Sequence, residues 1–271
     1  MTHDHVTSAQ VKLRRRRAVH LFITVLLVAN FFQLLCLAYA PWWGAYAEVP
    51  ISDKILLQSV WNHDGSLGLQ GGISFRKDRV DALWGWDWQR PTDALPKSSM
   101  TALYGHSPWL RKSTTGALPV RISCLRTMDV HYEFETKGSG KYVTGIKIYL
   151  TDGSVPKPEN LRVEIMIWLH TENTTPWAEP GGTLRIGNDI FGRWIGRIES
   201  WKAIILQPRA EKSGTTLDIA QILKALAARN DIDEKLYVAA IELGDEITMG
   251  SGYTALRKFD VTVRSLPEGA R

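Results

Sequence analysis

Two glutamates stand in surroundings that ordinary surface residues do not have. Glu164 lies within Val163-Glu164-Ile165-Met166-Ile167-Trp168-Leu169, and burying an unpaired carboxylate among such neighbours is costly. Strand alternation puts Glu164, Met166 and Trp168 on one face and Ile165, Ile167 and Leu169 on the other. The second face reads as core. The first combines a carboxylate, a thioether and a large aromatic, a surface suited to a sugar; a charge on an edge strand, turned to water, would give the same pattern. The second glutamate lies in Ala240-Ile241-Glu242-Leu243-Gly244-Asp245-Glu246. In a regular strand Glu242, Gly244 and Glu246 share a face, and Gly244 leaves room for a ligand or a partner backbone. Two carboxylates from separate strands facing one cleft are what hydrolysis of a glycosidic bond needs. One attacks the anomeric carbon while the other protonates the leaving oxygen. The nucleophile must be ionised, and the acid must keep its proton, which a nearby negative charge helps it do.

The aromatic content points the same way. The 271 residues include 11 Trp, more than core packing alone requires, and an indole face can stack against the C–H groups of a pyranose. Trp61, Trp84, Trp86, Trp88 and Trp168 each fit either core or sugar contact. Other chemistries lack their motifs. There is no phosphate-binding loop, no His-Glu-x-x-His zinc pattern and no Gly-x-Ser-x-Gly elbow. The 7 His are scattered, three of them within the first 20 residues, so no metal site is suggested. Of the net charge of +5, residues 1–17 carry +4, so the remainder offers no basic face and no nucleic acid is expected as a partner. The 2 Cys cannot build a disulfide framework.

These residues must be positioned by strands. Short alternating segments follow one another from Ile55 onward: Arg79 to Trp88, Val120 to Cys124, Val130 to Glu135, Val143 to Leu150, Val163 to Leu169, Thr183 to Ile186, Trp201 to Leu206, Leu236 to Leu243 and Phe259 to Val263. Turn-like clusters stand between many of them, as at Asp152-Gly153-Ser154, Pro180-Gly181-Gly182 and Gly250-Ser251-Gly252. The pattern predicts an all-β sandwich or barrel. One amphipathic helix is expected over Thr216 to Ala228, with Ile219, Ile222, Leu223 and Leu226 on one side and Thr215 or Thr216 as its cap.

The N-terminus reads differently. Residues 1–17 form a basic tail, and residues 18–40 are apolar over about the 20 residues that span a bilayer. Arg14 to Arg17 would remain cytoplasmic, with Trp42 and Trp43 at the far interface. Residues 41–54 are then a juxtamembrane connector and residues 55–265 an exported, monomeric domain. Removal of the segment as a signal peptide, with cleavage after Ala47, is the alternative and would give a secreted protein.

The motifs together resemble glycoside hydrolase family 12. Glu164-Ile165-Met166-Ile167-Trp168 is similar to that family's nucleophile strand. Glu242-Leu243-Gly244-Asp245-Glu246 with Gly250-Ser251-Gly252 is similar to its acid/base strand. Trp84-Gly85-Trp86-Asp87-Trp88, Ala102-Leu103-Tyr104-Gly105, Pro108-Trp109 and Leu118-Pro119-Val120 fit in order, as does the segment Ser213 to Asp218 before the helix. The resemblance implies a β-jelly-roll that cleaves β-glucan chains with retention and without a cofactor. It implies Glu164 as nucleophile, Glu246 as acid/base and Trp61 as the early substrate-binding aromatic. Trp168 and Met166 would then line the cleft. Lys147 stands where many members carry an Asp that supports the nucleophile, and Ile247 stands where Pro or Val is commoner. A carbohydrate-binding protein without catalysis, and a structural envelope protein whose Trp are all core, remain as rival readings; the kind of β-glucan is open. If residues 18–40 are an anchor, N-terminal sequencing of the membrane-associated protein will find them retained; a mature start at Glu48 would show cleavage instead.

Overall fold

The computed structural model describes residues 38–42, 46–60, 71–75, 82–88 and 98–267. Trp61 and residues 18–37 of the expected membrane segment lie outside the described residues. The last three residues of that segment, 38–40, open a strand, β1 (Ala38–Trp42). Among the described residues no helix is long and apolar enough to cross a membrane.

The domain is an all-β sandwich with, among the described residues, one α-helix. Its strands are β2 (Tyr46–Ile51), β3 (Lys54–Val60), β4 (Gly71–Phe75), β5 (Ala82–Trp88), β6 (Ser98–Gly105), β7 (Val120–Arg121), β8 (Leu125–Thr151), β9 (Leu161–Glu172), β10 (Glu179–Ile186), β11 (Asp189–Ile198), β12 (Trp201–Pro208), β13 (Gly214–Asp218) and β14 (Tyr237–Ser265). Residues 46–54 of the expected connector are therefore mostly strand. One layer runs β2-β3-β6-β14-β8-β9-β12-β11-β10; the other runs β4-β5-β14-β8-β13. All these pairs are antiparallel except β9 with β12.

The two layers share β8 and β14, which pair along nearly their whole length. Residues 240–247 of β14 pair with β6, and residues 250–256 pair with β5. The ribbon passes between layers where Gly140 faces Gly250. Both have positive φ, 111° and 98°, a region that side-chain-bearing residues avoid. A Cβ on Gly250 would also lie 1.8 Å from the Ser139 carbonyl oxygen. Gly250-Ser251-Gly252 is thus a bend inside one strand rather than a turn between two. Likewise the expected strands at 130–135 and 143–150 are both parts of β8, and Pro180-Gly181-Gly182 is a bulge within β10. A side-chain period of two survives a bend, so the sequence pattern alone does not distinguish a continuous strand from two.

Alternation places Ile241, Ile148, Ile165 and Ile204 in one cross-strand row and Leu243, Ile146, Ile167 and Leu206 in the next. All eight are essentially inaccessible, and burial of each such side chain stabilises by about 1.5–3 kcal/mol. This is the core face predicted for Ile165 and Ile167. The helix, α1 (Ile219–Ala228), buries the expected Ile219, Ile222, Leu223 and Leu226. It starts three residues later than its pattern predicted. Thr215 and Thr216 pair with β8 in β13, as suits β-branched residues, and Asp218 caps the helix by accepting from the Gln221 N–H at 2.8 Å.

Gly250→Ala should cost about 2–3 kcal/mol, because it combines a disfavoured φ with a backbone clash. Thermal unfolding should then register a Tm roughly 4–12 °C lower; an unchanged Tm would mean that the ribbon bends elsewhere.

Candidate active site

Opposite the core face, the same strands present a different set of side chains. Ala240, Tyr149, Glu164, Ala203 and Gly196 form one cross-strand row across β14, β8, β9, β12 and β11. Glu242, Lys147, Met166, Ile205 and Trp194 form the next. Glu246 lies further along β14, opposite Val143. The strands flanking β8 thus supply Glu164, Glu242 and Glu246 to one face, with Lys147 among them. Because β9 has β8 on one side and β12 on the other, Glu164 is not an edge-strand charge.

Lys147 Nζ forms an ion pair with Glu246 Oε1 at 2.8 Å and donates to Ser99 Oγ at 3.4 Å. Burial opposes the ammonium, yet Glu246, Glu242 and Glu164 together raise its pKa well above the ordinary lysine value. Glu164, only 6 % exposed, accepts a hydrogen bond from Trp201 Nε1 at 3.1 Å. Burial pushes its pKa up to about 7; the charge of Lys147 and the Trp201 bond pull it down, while the charges of Glu246 and Glu242 add to the rise. Glu242 is buried too and accepts from Tyr149 Oη at 3.3 Å and Thr101 Oγ1 at 3.4 Å. Its pKa is raised, again by burial first, against Lys147 and its two donors. The Tyr149 phenol is held protonated by burial and by the same three carboxylates.

Met166 and Trp168 join Val143, Gly145, Lys147, Gly244 and Glu246 around a shallow, open depression. Glu246, Met166 and Trp168 are therefore brought together, and the charge of Glu246 is felt at Glu164. Both Met166 and the Trp168 indole are packed with Val143, Ala203 and Ile205. Trp168, 4 % exposed, forms wall rather than open platform. Gly244 makes way for a partner backbone: a Cβ there would lie 2.0 Å from the Met100 carbonyl oxygen of β6. Beneath the site, Asp245 points into the interior and accepts from Thr144 Oγ1 at 2.6 Å and Trp84 Nε1 at 2.7 Å. Trp84 and Trp86 are core residues. Among the described residues no group of His, Cys, Asp and Glu is arranged to hold a metal ion.

Tyr149 and Trp201 were not singled out by the sequence. Tyr149 had a signal, since it shares the period-two face of Lys147. Trp201 had none, because its bond to Glu164 arises from the parallel pairing of β12 with β9. The indole of Trp109, half exposed, packs edge-on to Tyr149 and Trp201 with ring centroids 5.2 and 6.2 Å away, and so buttresses the two donors that serve Glu242 and Glu164.

The profile of glycosyl hydrolase family 12 matches residues 55–265, and the chain belongs to that family. Among solved structures, a family 12 xyloglucanase from Bacillus licheniformis is 22% identical over 84% of this chain and 100% of its own, with a TM-score of 0.76. An endoglucanase from Rhodothermus marinus is 16% identical over 84% and 100%, with a TM-score of 0.74. Endoglucanase 3 of Trichoderma harzianum is 14% identical over 84% and 98%, with a TM-score of 0.71. At these identities the likeness is one of fold. No curated protein matches the sequence.

The raised pKa of Glu164 makes a stability prediction independent of any activity. Between about pH 4.5 and 7 the folded carboxyl keeps a proton that the unfolded one releases, so this group's contribution to stability is lost as pH rises through that window. Glu164→Gln removes the ionisation. Relative to the wild type, the variant should gain on the order of 3 kcal/mol between pH 4.5 and pH 8. Chemical denaturation at the two pH values would measure it, and an equal difference at both would place Glu164 in contact with water.

Proposed function

We propose that the protein is an exported endo-β-1,4-glucanase that cleaves β-glucan chains by retaining double displacement. The observation that supports the reading is that Glu164 and Glu246 project from one sheet face, on strands either side of β8, in a chain of this family. Glu164 attacks the anomeric carbon and forms a glycosyl-enzyme. Glu246 protonates the departing oxygen and then takes a proton from water. Glu246 is the more exposed of the two and lines the pocket, where a leaving oxygen and later a water can reach it. Met166 and Trp168 shape the wall, and Trp61 supplies an early stacking surface. The family's membership and the names xyloglucanase and endoglucanase borne by structural neighbours support a polysaccharide substrate with a β-glucan backbone. Export rests on the basic tail and the apolar segment 18–40, which anchors the monomeric domain outside the cytoplasm or is cleaved after Ala47.

The charge state of the site sets a condition on turnover. Attack needs an ionised Glu164, whose pKa lies at about 7, so kcat/KM rises with pH through that value. Proton donation needs Glu246 to leave its ion pair with Lys147. Lys147 feels both charges, and its movement from Glu246 toward Glu164 would favour both states at once. That same ion pair favours a second reading, a β-glucan-binding protein without catalysis, in which the acid never becomes available.

A reducing-sugar assay of the protein on cellulose, mixed-linkage glucan and xyloglucan separates the two; binding without new reducing ends selects the second, and no interaction with any of them sinks both. For the enzyme, Glu164→Gln should abolish turnover on every glucan while the fold is kept. Glu246→Gln should do so on natural substrates and spare more of the first step on aryl glycosides with good leaving groups. NMR of a fresh hydrolysate should show the β-anomer first. An initial α-anomer, or a Glu164→Gln variant that still cleaves, would refute the mechanism.

A further inference from the structure

Large exposed apolar side chains are few among the described residues, and one of them sits on the face that carries the carboxylates. Trp177, in the segment between β9 and β10, is 53% exposed. Its six-membered ring lies against Gly196 of β11, where a Cβ would come within 2.6 Å of Trp177 Cζ3 and 3.0 Å of Ala178 Cβ. The glycine is thus a notch into which the indole is set.

The register says where this notch is. Gly196 pairs with Ala203, and Ala203 pairs with Glu164. Directly paired residues point to the same side of a sheet, so Trp177 covers the very face from which Glu164 projects. Two strand spacings separate them, about 10 Å, a span bridged by a couple of pyranose rings. Ala178 continues the contact inward by packing on the cluster of Val143, Met166, Trp168, Ala203 and Ile205, part of which walls the pocket beside Glu246. Trp194 repeats the device one row along the same strand. Its ring fills the space over Gly192, 2.5 Å from where a Cβ would be, and Trp194 stands in the row of Met166 and Lys147. The β11 end of the site face therefore carries two indoles, Trp177 half exposed and Trp194 partly buried, each seated over a glycine, with no charged residue at positions 192, 194 and 196.

We propose that Trp177 is a sugar-stacking platform for a β-glucan chain extending from the carboxylates across β12 to β11, and that it sets the preference of the site for long chains. The inference rests on the glucanase reading above. A half-exposed indole whose Cζ3–Cη2 edge is seated against the sheet loses little rotamer freedom on binding, and a pyranose offers it a matching row of C–H groups. Gly196 serves the platform by letting the ring sit low enough for a chain to lie over both it and the pocket.

Hydrolysis and binding of a six-unit β-1,4-glucan oligosaccharide test this with Trp177→Ala, Trp177→Phe and Gly196→Val. By analogy with base stacking on aromatic residues, Trp177→Ala should lower affinity and kcat/KM roughly 5- to 100-fold with Tm and kcat little changed. Trp177→Phe should recover most of the loss, and Gly196→Val, by lifting the ring, should reproduce it in part. Wild-type affinity in the Ala variant would overturn the platform and leave the glucanase reading intact. A Phe variant as impaired as Ala, with Tm lowered in both, would overturn it as well, by showing a packing role. A wild-type protein that neither binds nor cleaves the oligosaccharide would overturn the glucanase reading itself.

Discussion

Lys147 is an ammonium taken largely out of water and set among three carboxylates, and the character of the site follows from that. Moving a charged group into a protein interior costs several kcal/mol even after relaxation, so the lysine persists only because Glu246, Glu242 and Glu164 surround it. The charges do not balance: one cation faces three potential anions. The ion pair goes to Glu246, the most exposed of them. Glu164 and Glu242 are left deeper, with neutral donors from Trp201, Tyr149 and Thr101, and burial raises both pKa values. Environment rather than residue type therefore raises the pKa of Glu164 and Glu242 above that of an ordinary glutamate. A chain with an acid in place of Lys147 would bring four potential anions to the same face and could not keep them all ionised.

The arrangement depends in turn on the β8–β14 ribbon. Its first half lies between β6 and β9 and carries Lys147, Tyr149, Glu242 and Glu246; its second half belongs to the other layer. The glycines at 140 and 250 let one ribbon serve both. Asp245 ties the site strand to Trp84 of the opposite layer, so Glu246 projects from a backbone held on its other side by a buried hydrogen bond. Glycine also governs close approach on the site face itself, at Gly244 beneath β6 and at Gly196 beneath Trp177.

Much of this was legible in the chain. The alternation around Glu164 correctly divided Ile165, Ile167 and Leu169 from Glu164, Met166 and Trp168, because side chains in a strand obey a strict period of two whatever the strand pairs with. The all-β class, the helix at 219–228 and its buried face, and the membership of family 12 were likewise carried by local pattern and motif. The helix start was misplaced, because a Thr-Thr pair fits both a cap and a strand and only its pairing with β8 decides between them.

What the sequence by itself determined was which residues share a face and which families of motifs they form. What the tertiary structure alone decided was who meets whom across strands. Lys147 reaches Glu246 although they lie 99 positions apart; Trp201 reaches Glu164 through a parallel pairing; Trp177 reaches a glycine on β11. The bend at Gly140 and Gly250 also joined segments that read as separate strands. The physical reason is that face is a local property of backbone geometry, whereas register, burial and the charge felt by a carboxylate are set by partners distant in the chain.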